Sequence, residues 1–328
     1  MNILNTSMKI GNLELKNRLV MPPMATGKAS SAGEITQQHL EFYNEKSMGG
    51  YIALFITEHS YVNIEGKATK GQLSISSDSD ISGLAQLADI IHKNGSKVMA
   101  QISHAGGVAK SAITGQTAKA PSAVKMPGKD WIPEAMTIAD IQQVVADFAA
   151  AAVRVKKAGF DGVEIHSAHG YLLNQFYSPL TNKRTDQYGG AELADRLRIH
   201  IEIIRAIREL VGQEYPVAIR LGACDYMEGG TTLKDSLTAV QLLERAGIDL
   251  LDISGGLCGS VRPGAKEEGY FRELTQSIKK EVSIPVLLTG GITNPDTANA
   301  LLKEKKADCI GVGRAIFKDS LWAKRAIQ

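Results

Sequence analysis

The sequence predicts an α/β protein built as a single (β/α)8 barrel, the TIM-barrel architecture. Eight short runs rich in β-branched residues alternate with longer stretches of helical periodicity, which is typical of parallel βα units. Eight such units favour a closed barrel over an open sheet. The length of 328 residues suits one large barrel with inserted loops, so we assign residues 1–328 to a single domain.

The predicted barrel strands are Arg18–Met21, Ile52–Glu58, Lys97–Ile102, Gly162–His166, Val217–Leu221, Leu250–Ser254, Pro285–Thr289 and Cys309–Val312. The clearest helices are Ser79–Asn94, Ile138–Ala158, Leu193–Val211 and Thr232–Arg245, in which apolar residues recur at spacings of three and four. Ahead of the first strand, Met8–Leu15 predicts a β-hairpin that turns at Gly11 and Asn12. We expect this hairpin to plug the lower mouth of the barrel.

Three of the predicted strand-to-helix loops are long for such connections: Ser103–Met136, Ala168–Gly190 and Gly255–Tyr270. They follow the third, fourth and sixth strands. In a TIM barrel these loops lie at the top face, where active sites are built. We therefore expect the functional residues at the ends of strands and in these loops.

Composition excludes several classes of protein. The 37 basic and 35 acidic residues leave a formal charge of +2, too little to drive binding to nucleic acid. The three cysteines are far apart and form no C-x-x-C motif, which argues against a disulfide framework or a cysteine metal site. No apolar run approaches the roughly 18 residues of a membrane helix, and Met1–Gly11 does not resemble a signal peptide. These observations predict a cytoplasmic protein.

Glycine-rich turns end the last two strands and indicate a phosphate site. Gly290 and Gly291 follow the seventh strand, and Gly313 and Arg314 follow the eighth. Glycine lets backbone N–H groups approach phosphate oxygens, and arginine adds a bidentate charge. The glycines would also serve simply to relieve crowding at the strand ends. A dinucleotide fingerprint is excluded because its third glycine would fall on Ile316.

Two polar residues interrupt otherwise apolar strands. Gln101 lies in the third strand and Arg220 in the fifth. A buried arginine requires an anion or a set of acceptors. The planar glutamine amide fits the N3–H and carbonyl edge of a flavin. Alternatively, both residues bond to others within a polar upper layer of the barrel, and these residues alone do not decide between the two interpretations.

The fourth strand ends in a cluster of His166, His169 and Tyr171. Two imidazoles without a third ligand at suitable spacing argue against a metal site. The imidazoles offer two donors that polarise a substrate oxygen, and the phenol offers a proton. After the first strand, the rigid segment that contains Pro22 and Pro23 presents backbone groups to a flat ring or simply ends the strand. We expect Glu58 to orient a neighbouring loop rather than to catalyse.

Together these residues carry a resemblance to a known family. The motifs are Asn17-Arg18 with Met21-Pro22-Pro23-Met24, Gln101 with His104-Ala105-Gly106, Glu164-Ile165-His166 through His169-Gly170-Tyr171-Leu172, Ser178-Pro179-Leu180-Thr181-Asn182 with Arg184 and Gly189-Gly190, and Gly313-Arg314. In this order, from about Lys9 to Phe317, the chain resembles the Old Yellow Enzyme family of FMN-dependent NADH:flavin oxidoreductases.

The resemblance implies FMN at the top of the barrel. Its phosphate would lie on Gly290, Gly291, Gly313 and Arg314, and its ring would pass along Pro22, Pro23, Met24 and Ala25, with the backbone near His59 facing it. Gln101 would meet the pyrimidine edge and Arg220 the N1 and O2 side. Ala25 departs from the cysteine or threonine that two branches of the family carry there.

The implied reaction is an ene-reduction. NADH or NADPH would reduce FMN, and a small electrophilic acceptor such as an enone or nitroalkene would then take hydride from flavin N5. His166 and His169 would bind the oxygen of this acceptor, while Tyr171 would donate the proton. Two other functions stay open: a flavin-free, phosphate-binding barrel lyase or isomerase, and a non-catalytic flavin-binding protein. A homo-oligomer is compatible with each of these functions.

Overall fold

The computed structural model describes residues 2–328. Its strands are β1 (Met8–Ile10), β2 (Leu13–Leu15), β3 (Leu19–Met21), β4 (Leu54–Tyr61), β5 (Lys97–Ser103), β6 (Lys119–Ala120), β7 (Glu134–Ala135), β8 (Gly162–Ser167), β9 (Val217–Gly222), β10 (Leu250–Ser254), β11 (Val286–Thr289) and β12 (Cys309–Gly311). Eight of them close in the order β3-β4-β5-β8-β9-β10-β11-β12, and every neighbouring pair for which the register is given is parallel. The predicted barrel is confirmed.

Helices surround the barrel and connect its strands. They are α1 (Gln37–Ser47), α2 (Ile81–Lys93), α3 (Ser111–Thr114), α4 (Ile138–Lys157), α5 (Leu172–Tyr177), α6 (Leu193–Arg196), α7 (Arg198–Val211), α8 (Leu233–Ala246), α9 (Arg272–Ile278), α10 (Pro295–Lys303), α11 (Arg314–Lys318) and α12 (Trp322–Ile327). Capping boxes at Thr137 and Thr232 set the start of α4 and α8, because each threonine accepts from the aspartate N–H three residues later. None of these helices is both long and apolar enough to cross a membrane.

Two predicted element boundaries differ from the observed ones. The second barrel strand covers Leu54–Tyr61 instead of Ile52–Glu58, because a register shift between Thr57 and Ser60 lets Tyr61 pair with β5. The helix predicted over Leu193–Val211 is interrupted at Leu197, whose ψ of −8° departs from the helical value. The other barrel strands agree with the prediction to within about two residues.

The barrel interior is divided into an apolar lower half and a polar upper half. The lower half is an apolar cluster that contains Val20, Leu54, Ile56, Met99, Ala218, Leu250, Leu287 and Cys309. The β1–β2 hairpin closes it from below, since Ile10, Leu13 and Leu15 belong to the same cluster. The predicted plug is therefore confirmed, and the polar residues of the strands lie above a dry floor.

We expect the plug to contribute to stability through burial alone. Leu15 is 1% exposed. Leu15→Ala should lower the free energy of unfolding by about 2–5 kcal/mol, since it leaves a cavity beneath the barrel. Glu14→Ala on the same strand is the control, because the Glu14 side chain is 75% exposed and its pairing with Lys9 is a surface contact. Urea denaturation measures both variants, and equal losses would contradict a plugging role.

Candidate active site

A cavity of about 600 Å³ opens at the carboxyl ends of the barrel strands, a volume typical of small-molecule sites. The structure brings every predicted site residue to its wall: Pro22, Pro23, Met24, Ala25, His59, Gln101, His166, His169, Tyr171, Arg220, Gly290, Gly291, Gly313 and Arg314. Further lining residues that the sequence did not single out are Ser260, Tyr270, Thr289, Gly311, Ile292, Thr293 and Lys318. The placement of these residues is observed, while their roles stay predictions.

One wall of the cavity is formed by the two glycine-rich turns. Gly291 has a φ of 68°, and a Cβ at this position would lie 2.6 Å from the ring of Tyr270. A Cβ at Gly313 would lie 2.6 Å from Met24 Sδ. The glycines therefore do relieve crowding, as the alternative interpretation expected. They also leave the Arg314 guanidinium beside Gly291, where its Nη2 donates to the Tyr270 hydroxyl at 3.1 Å, so this wall suits an anion.

Gln101 and Arg220 also line the cavity, and each contacts a buried carboxyl group on a neighbouring strand. Gln101 Nε2 donates to Glu164 Oε1 at 2.7 Å. Arg220 Nε lies 3.1 Å from Asp252 Oδ2, and Arg220 Nη2 donates to Thr289 Oγ1 at 3.4 Å. The partner that Arg220 requires is thus a carboxylate of the next strand, which sequence analysis missed. A signal existed, because Asp252 interrupts an apolar strand just as Arg220 does.

His166, His169 and Tyr171 form a compact cluster on the wall of the cavity. The ring centroid of His166 lies 5.2 Å from that of His169 and 4.9 Å from that of Tyr171. Ser254 Oγ lies 2.8 Å from His169 Nε2 and orients this imidazole, whereas His166 Nδ1 has no hydrogen-bond partner among residues 2–328. His166 itself lines the cavity, although its Nδ1 atom is buried.

The chain turns sharply to place this cluster. His169 has a φ of 58°, a left-handed conformation that costs a non-glycine residue about 1–2 kcal/mol. Gly170 follows with a φ of 73°, and its N–H donates to Asn174 Oδ1 at 2.8 Å. Backbone strain of this kind is found at functional sites, where surrounding structure holds it.

Burial determines the protonation states of the cluster. It lowers the pKa of His166 and of His169 well below the usual value, and the neighbouring charge of Arg220 acts in the same direction. Burial also raises the pKa of Tyr171 to about 12. Both imidazoles are therefore neutral and the phenol is protonated at working pH, so the cluster presents donors without carrying charge.

Glu58 and Gln72 hold residues near the cavity in place. Glu58 Oε2 accepts from the Thr26 backbone N–H at 3.1 Å, Oε1 accepts from Thr26 Oγ1 at 2.6 Å, and His39 Nε2 lies 3.2 Å from the same Oε1. Glu58 therefore holds the loop after β3, as predicted, while its not taking part in catalysis stays a prediction. His59 is fixed by Gln72, whose Nε2 lies 2.6 Å from His59 Nδ1.

A single buried carboxylate, Asp225, ties three of the top-face loops together. It accepts from Ser178 Oγ at 2.6 Å, from the Thr231 N–H at 2.8 Å and from the Leu257 N–H at 2.8 Å. Its own side chain is fully buried. Sequence analysis missed this residue, because its partners come from three loops whose proximity no local pattern reveals. Among residues 2–328, no group of three or more histidines, cysteines and carboxylates is arranged to hold a metal ion.

Nearly the whole chain matches one known protein family. The profile of the NADH:flavin oxidoreductase / NADH oxidase family matches residues 4–328. The chain is 40% identical over 324 residues to an NADH oxidase of Thermoanaerobacter brockii; the match covers 97% of this chain and 50% of that relative, so the chain spans about half of the relative's length. It is 38% identical over 322 residues to an NADPH dehydrogenase of Halalkalibacterium halodurans, a match that covers 98% of this chain and 93% of the relative.

Solved structures show the same architecture. A 2-naphthoyl-CoA reductase in complex with 2-naphthoyl-CoA superposes with a TM-score of 0.93 at 30% identity, over 98% of this chain and 52% of that one. An old yellow enzyme homologue from Zymomonas mobilis superposes with a TM-score of 0.86 at 26% identity, over 98% of this chain and 91% of that one.

The lowered imidazole pKa values predict that His166 and His169 stay neutral in mild acid. A free imidazole with a pKa of about 6.5 is mostly charged at about pH 5.5. Nitrogen-15 NMR of the protein at that pH should show the neutral pattern for both residues, assigned by comparison with His166→Gln and His169→Gln. Charged imidazole signals for either residue would contradict the electrostatics of the cluster.

Proposed function

The chain belongs to the NADH:flavin oxidoreductase / NADH oxidase family, the Old Yellow Enzyme family, and from this premise we propose that it is an FMN-dependent NAD(P)H oxidoreductase that reduces activated C=C bonds. One observation carries the proposal. His166, His169 and Tyr171 meet on the wall of a cavity that Gln101, Arg220 and the glycine-rich turns also line. A proton donor and oxygen-binding donors thus face one ligand space.

The residues present fit FMN. The turn of Gly290 and Gly291 with Arg314 suits its phosphate, and the open N–H and carbonyl of Gln101 suit its pyrimidine edge. Arg220 lines the cavity while only 7% exposed, so its charge acts in a setting that screens it poorly. When bound, FMN would accept hydride from NADH or NADPH and pass it to the acceptor.

The histidines would bind and polarise the acceptor. As neutral imidazoles, His166 and His169 each have one N–H, which can donate to a carbonyl or nitro oxygen. A cationic imidazole would be repelled by the charge of Arg220. A neutral imidazole can polarise the oxygen without adding charge to a buried site. Orientation of His169 by Ser254 fixes one of the two donors before the acceptor arrives.

Tyr171 would supply the proton to the carbon α to the activating group. Its phenol is 4.9 Å, centroid to centroid, from the ring of His166, so it faces the same ligand. A phenol with a pKa of about 12 is a weak acid that keeps its proton until an adjacent carbon becomes basic. Among residues 2–328, Tyr270 is the other tyrosine that lines the cavity. Its hydroxyl already donates to the Ser260 carbonyl, so Tyr171 is the better proton donor.

A flavin-free lyase or isomerase remains the rival, since the glycine turns alone would bind a phosphate ester. Visible flavin absorbance that stays with the purified protein through desalting supports the flavoenzyme and excludes this rival. A non-catalytic flavin protein would also be coloured. Steady-state consumption of NADH or NADPH in the presence of an enone separates it from an ene-reductase.

Arg314 should recognise the phosphate of FMN. We expect Arg314→Ala to weaken FMN binding by about tenfold or more and to leave riboflavin binding nearly unchanged, because only FMN loses a charge-assisted pair. Fluorescence titration of the apoprotein measures both affinities. Arg325→Ala is the control, since Arg325 lies on α12 outside the cavity. Equal losses for FMN and riboflavin would show that Arg314 does not contact the phosphate.

Tyr171→Phe should separate the two half-reactions. Reduction of the bound flavin by NADH or NADPH should stay near the wild-type rate, while reoxidation by an enone should slow by roughly 10²–10⁴-fold. Reoxidation by a quinone or oxygen, which needs no proton on carbon, should persist. Stopped-flow absorbance follows each step, and Tyr226→Phe is the control because Tyr226 does not line the cavity. Enone reoxidation at the wild-type rate would remove Tyr171 from the proton-donor role.

The enone step should also be insensitive to pH over a wide range. The raised phenol pKa keeps Tyr171 protonated up to about pH 11, and the lowered imidazole pKa values keep His166 and His169 neutral through the range in which an ordinary imidazole titrates. Single-turnover rates with an enone at a series of pH values test this. A loss of rate centred near pH 6.5 would indicate that an ordinary imidazole titrates in this step.

A further inference from the structure

Two buried carboxyl groups lie beneath the cavity and have no role in the function proposed above. Glu164 on β8 and Asp252 on β10 are fully buried, and neither lines the cavity. The strand register pairs Glu164 with Gln101 and Asp252 with Arg220, the two polar residues that do line it. We call these four residues the polar tier. It separates the apolar floor of the barrel from the ligand space.

The polar tier contains two carboxyl groups but a single cation. Arg220 Nε lies 3.1 Å from Asp252 Oδ2. The two groups form an ion pair, but the N–H does not point at the oxygen well enough for a hydrogen bond. The one polar contact of Glu164 is with the neutral amide of Gln101, at 2.7 Å. If both carboxyl groups were ionised, one buried negative charge would be left uncompensated, a state that proteins avoid by protonating the group.

The hydrogen bonds of Glu164 favour the protonated form. An ionised carboxylate seeks donors at both oxygens, yet only Oε1 accepts, and Oε2 has no partner among residues 2–328. A carboxylate here would be a buried charge that accepts a single hydrogen bond, whereas a carboxylic acid leaves only a neutral O–H without an acceptor, which costs less free energy. Burial, followed by repulsion from Asp252, raises the pKa of Glu164 well above its usual range, even though the charge of Arg220 acts in the opposite direction. Burial also raises the pKa of Asp252 to about 6, but the charge of Arg220 opposes that shift.

We propose that Glu164 is a neutral carboxylic acid that positions Gln101, and that Asp252 alone balances the charge of Arg220. One N–H of the Gln101 amide is then committed to Glu164, so the amide turns its carbonyl and its other N–H to the cavity. The polar tier carries no net charge. The effect of the polar tier on FMN rests on the proposed function. If FMN binds as proposed, the Gln101 amide edge and the Arg220 charge would face its pyrimidine ring.

Infrared spectroscopy tests the protonation state without requiring any ligand. The spectrum of the wild-type protein at neutral pH, minus that of Glu164→Gln, should show a carboxylic-acid C=O band that shifts in D₂O. Glu14→Gln is the control, since Glu14 is exposed and its contact with Lys9 lowers the pKa of its carboxyl group. Its difference spectrum should show carboxylate bands instead. Carboxylate bands for Glu164 would overturn the proposal, even if the chain binds no FMN.

Flavin binding and potential test the positioning role. Glu164→Ala should weaken FMN binding by about tenfold, the loss of one buried hydrogen bond that orients Gln101, and Glu164→Gln should restore it because its carbonyl can accept from the same N–H. In a Gln101→Ala background, Glu164→Ala should add little. The FMN midpoint potential of Glu164→Gln should equal that of the wild type. A more positive potential would mean that a negative charge had been removed, and additive losses in the double variant would rule out action through Gln101.

Absence of FMN binding in the wild-type protein would overturn the proposed function, while the infrared result would still decide the state of Glu164. Should Glu164→Ala fail to fold, comparison of Glu164→Gln with Gln101→Ala still decides, because the former should retain wild-type FMN affinity and the latter should lose it. Loss in both would contradict the assignment of Glu164 as a neutral acid.

Discussion

The closed ring of backbone hydrogen bonds between eight parallel strands is the constraint on which the rest of this structure depends. Side chains alternate between the two faces of a strand, so the register of each pair decides which residues face the barrel interior. A slip of one residue in β9 would turn Arg220 outward among the helices and leave Asp252 without its cation. The pairing of Arg220 with Asp252 and of Gln101 with Glu164 thus follows from the register before any ligand is considered.

The division of the barrel interior explains how the site tolerates buried polar groups. The apolar lower half and its hairpin exclude water from below and provide the contacts that stabilise the barrel. Polar side chains can then accumulate at the upper ends of the strands, where Gln101, Arg220 and His169 have polar partners and also line the cavity. Placing these groups requires unfavourable backbone conformations, as at His169. Its left-handed backbone costs free energy, and the hydrogen bonds to Ser254 and within the following turn hold it in place.

Much of this arrangement was predictable from local sequence patterns. Strand composition located all eight barrel strands, and polar or glycine residues at strand ends identified the cavity wall. Contacts between distant segments were not predictable: no local pattern joins Asp225 to Ser178 and Leu257, or Ser254 to His169. The extension of β4 to Tyr61 depends on a register shift with β5, and no break in the apolar periodicity marks the interruption at the fully buried Leu197.

The hairpin plug has a consequence for the order of events during turnover. Because Ile10, Leu13 and Leu15 close the barrel from below, a ligand reaches the polar half of the interior from the top face. A nicotinamide donor and an unsaturated acceptor would both have to occupy the space beside His166 and Tyr171. If the proposed function holds, the donor would have to leave this space before the acceptor could bind. An excess of the donor would then inhibit turnover, because it would occupy the space that the acceptor needs.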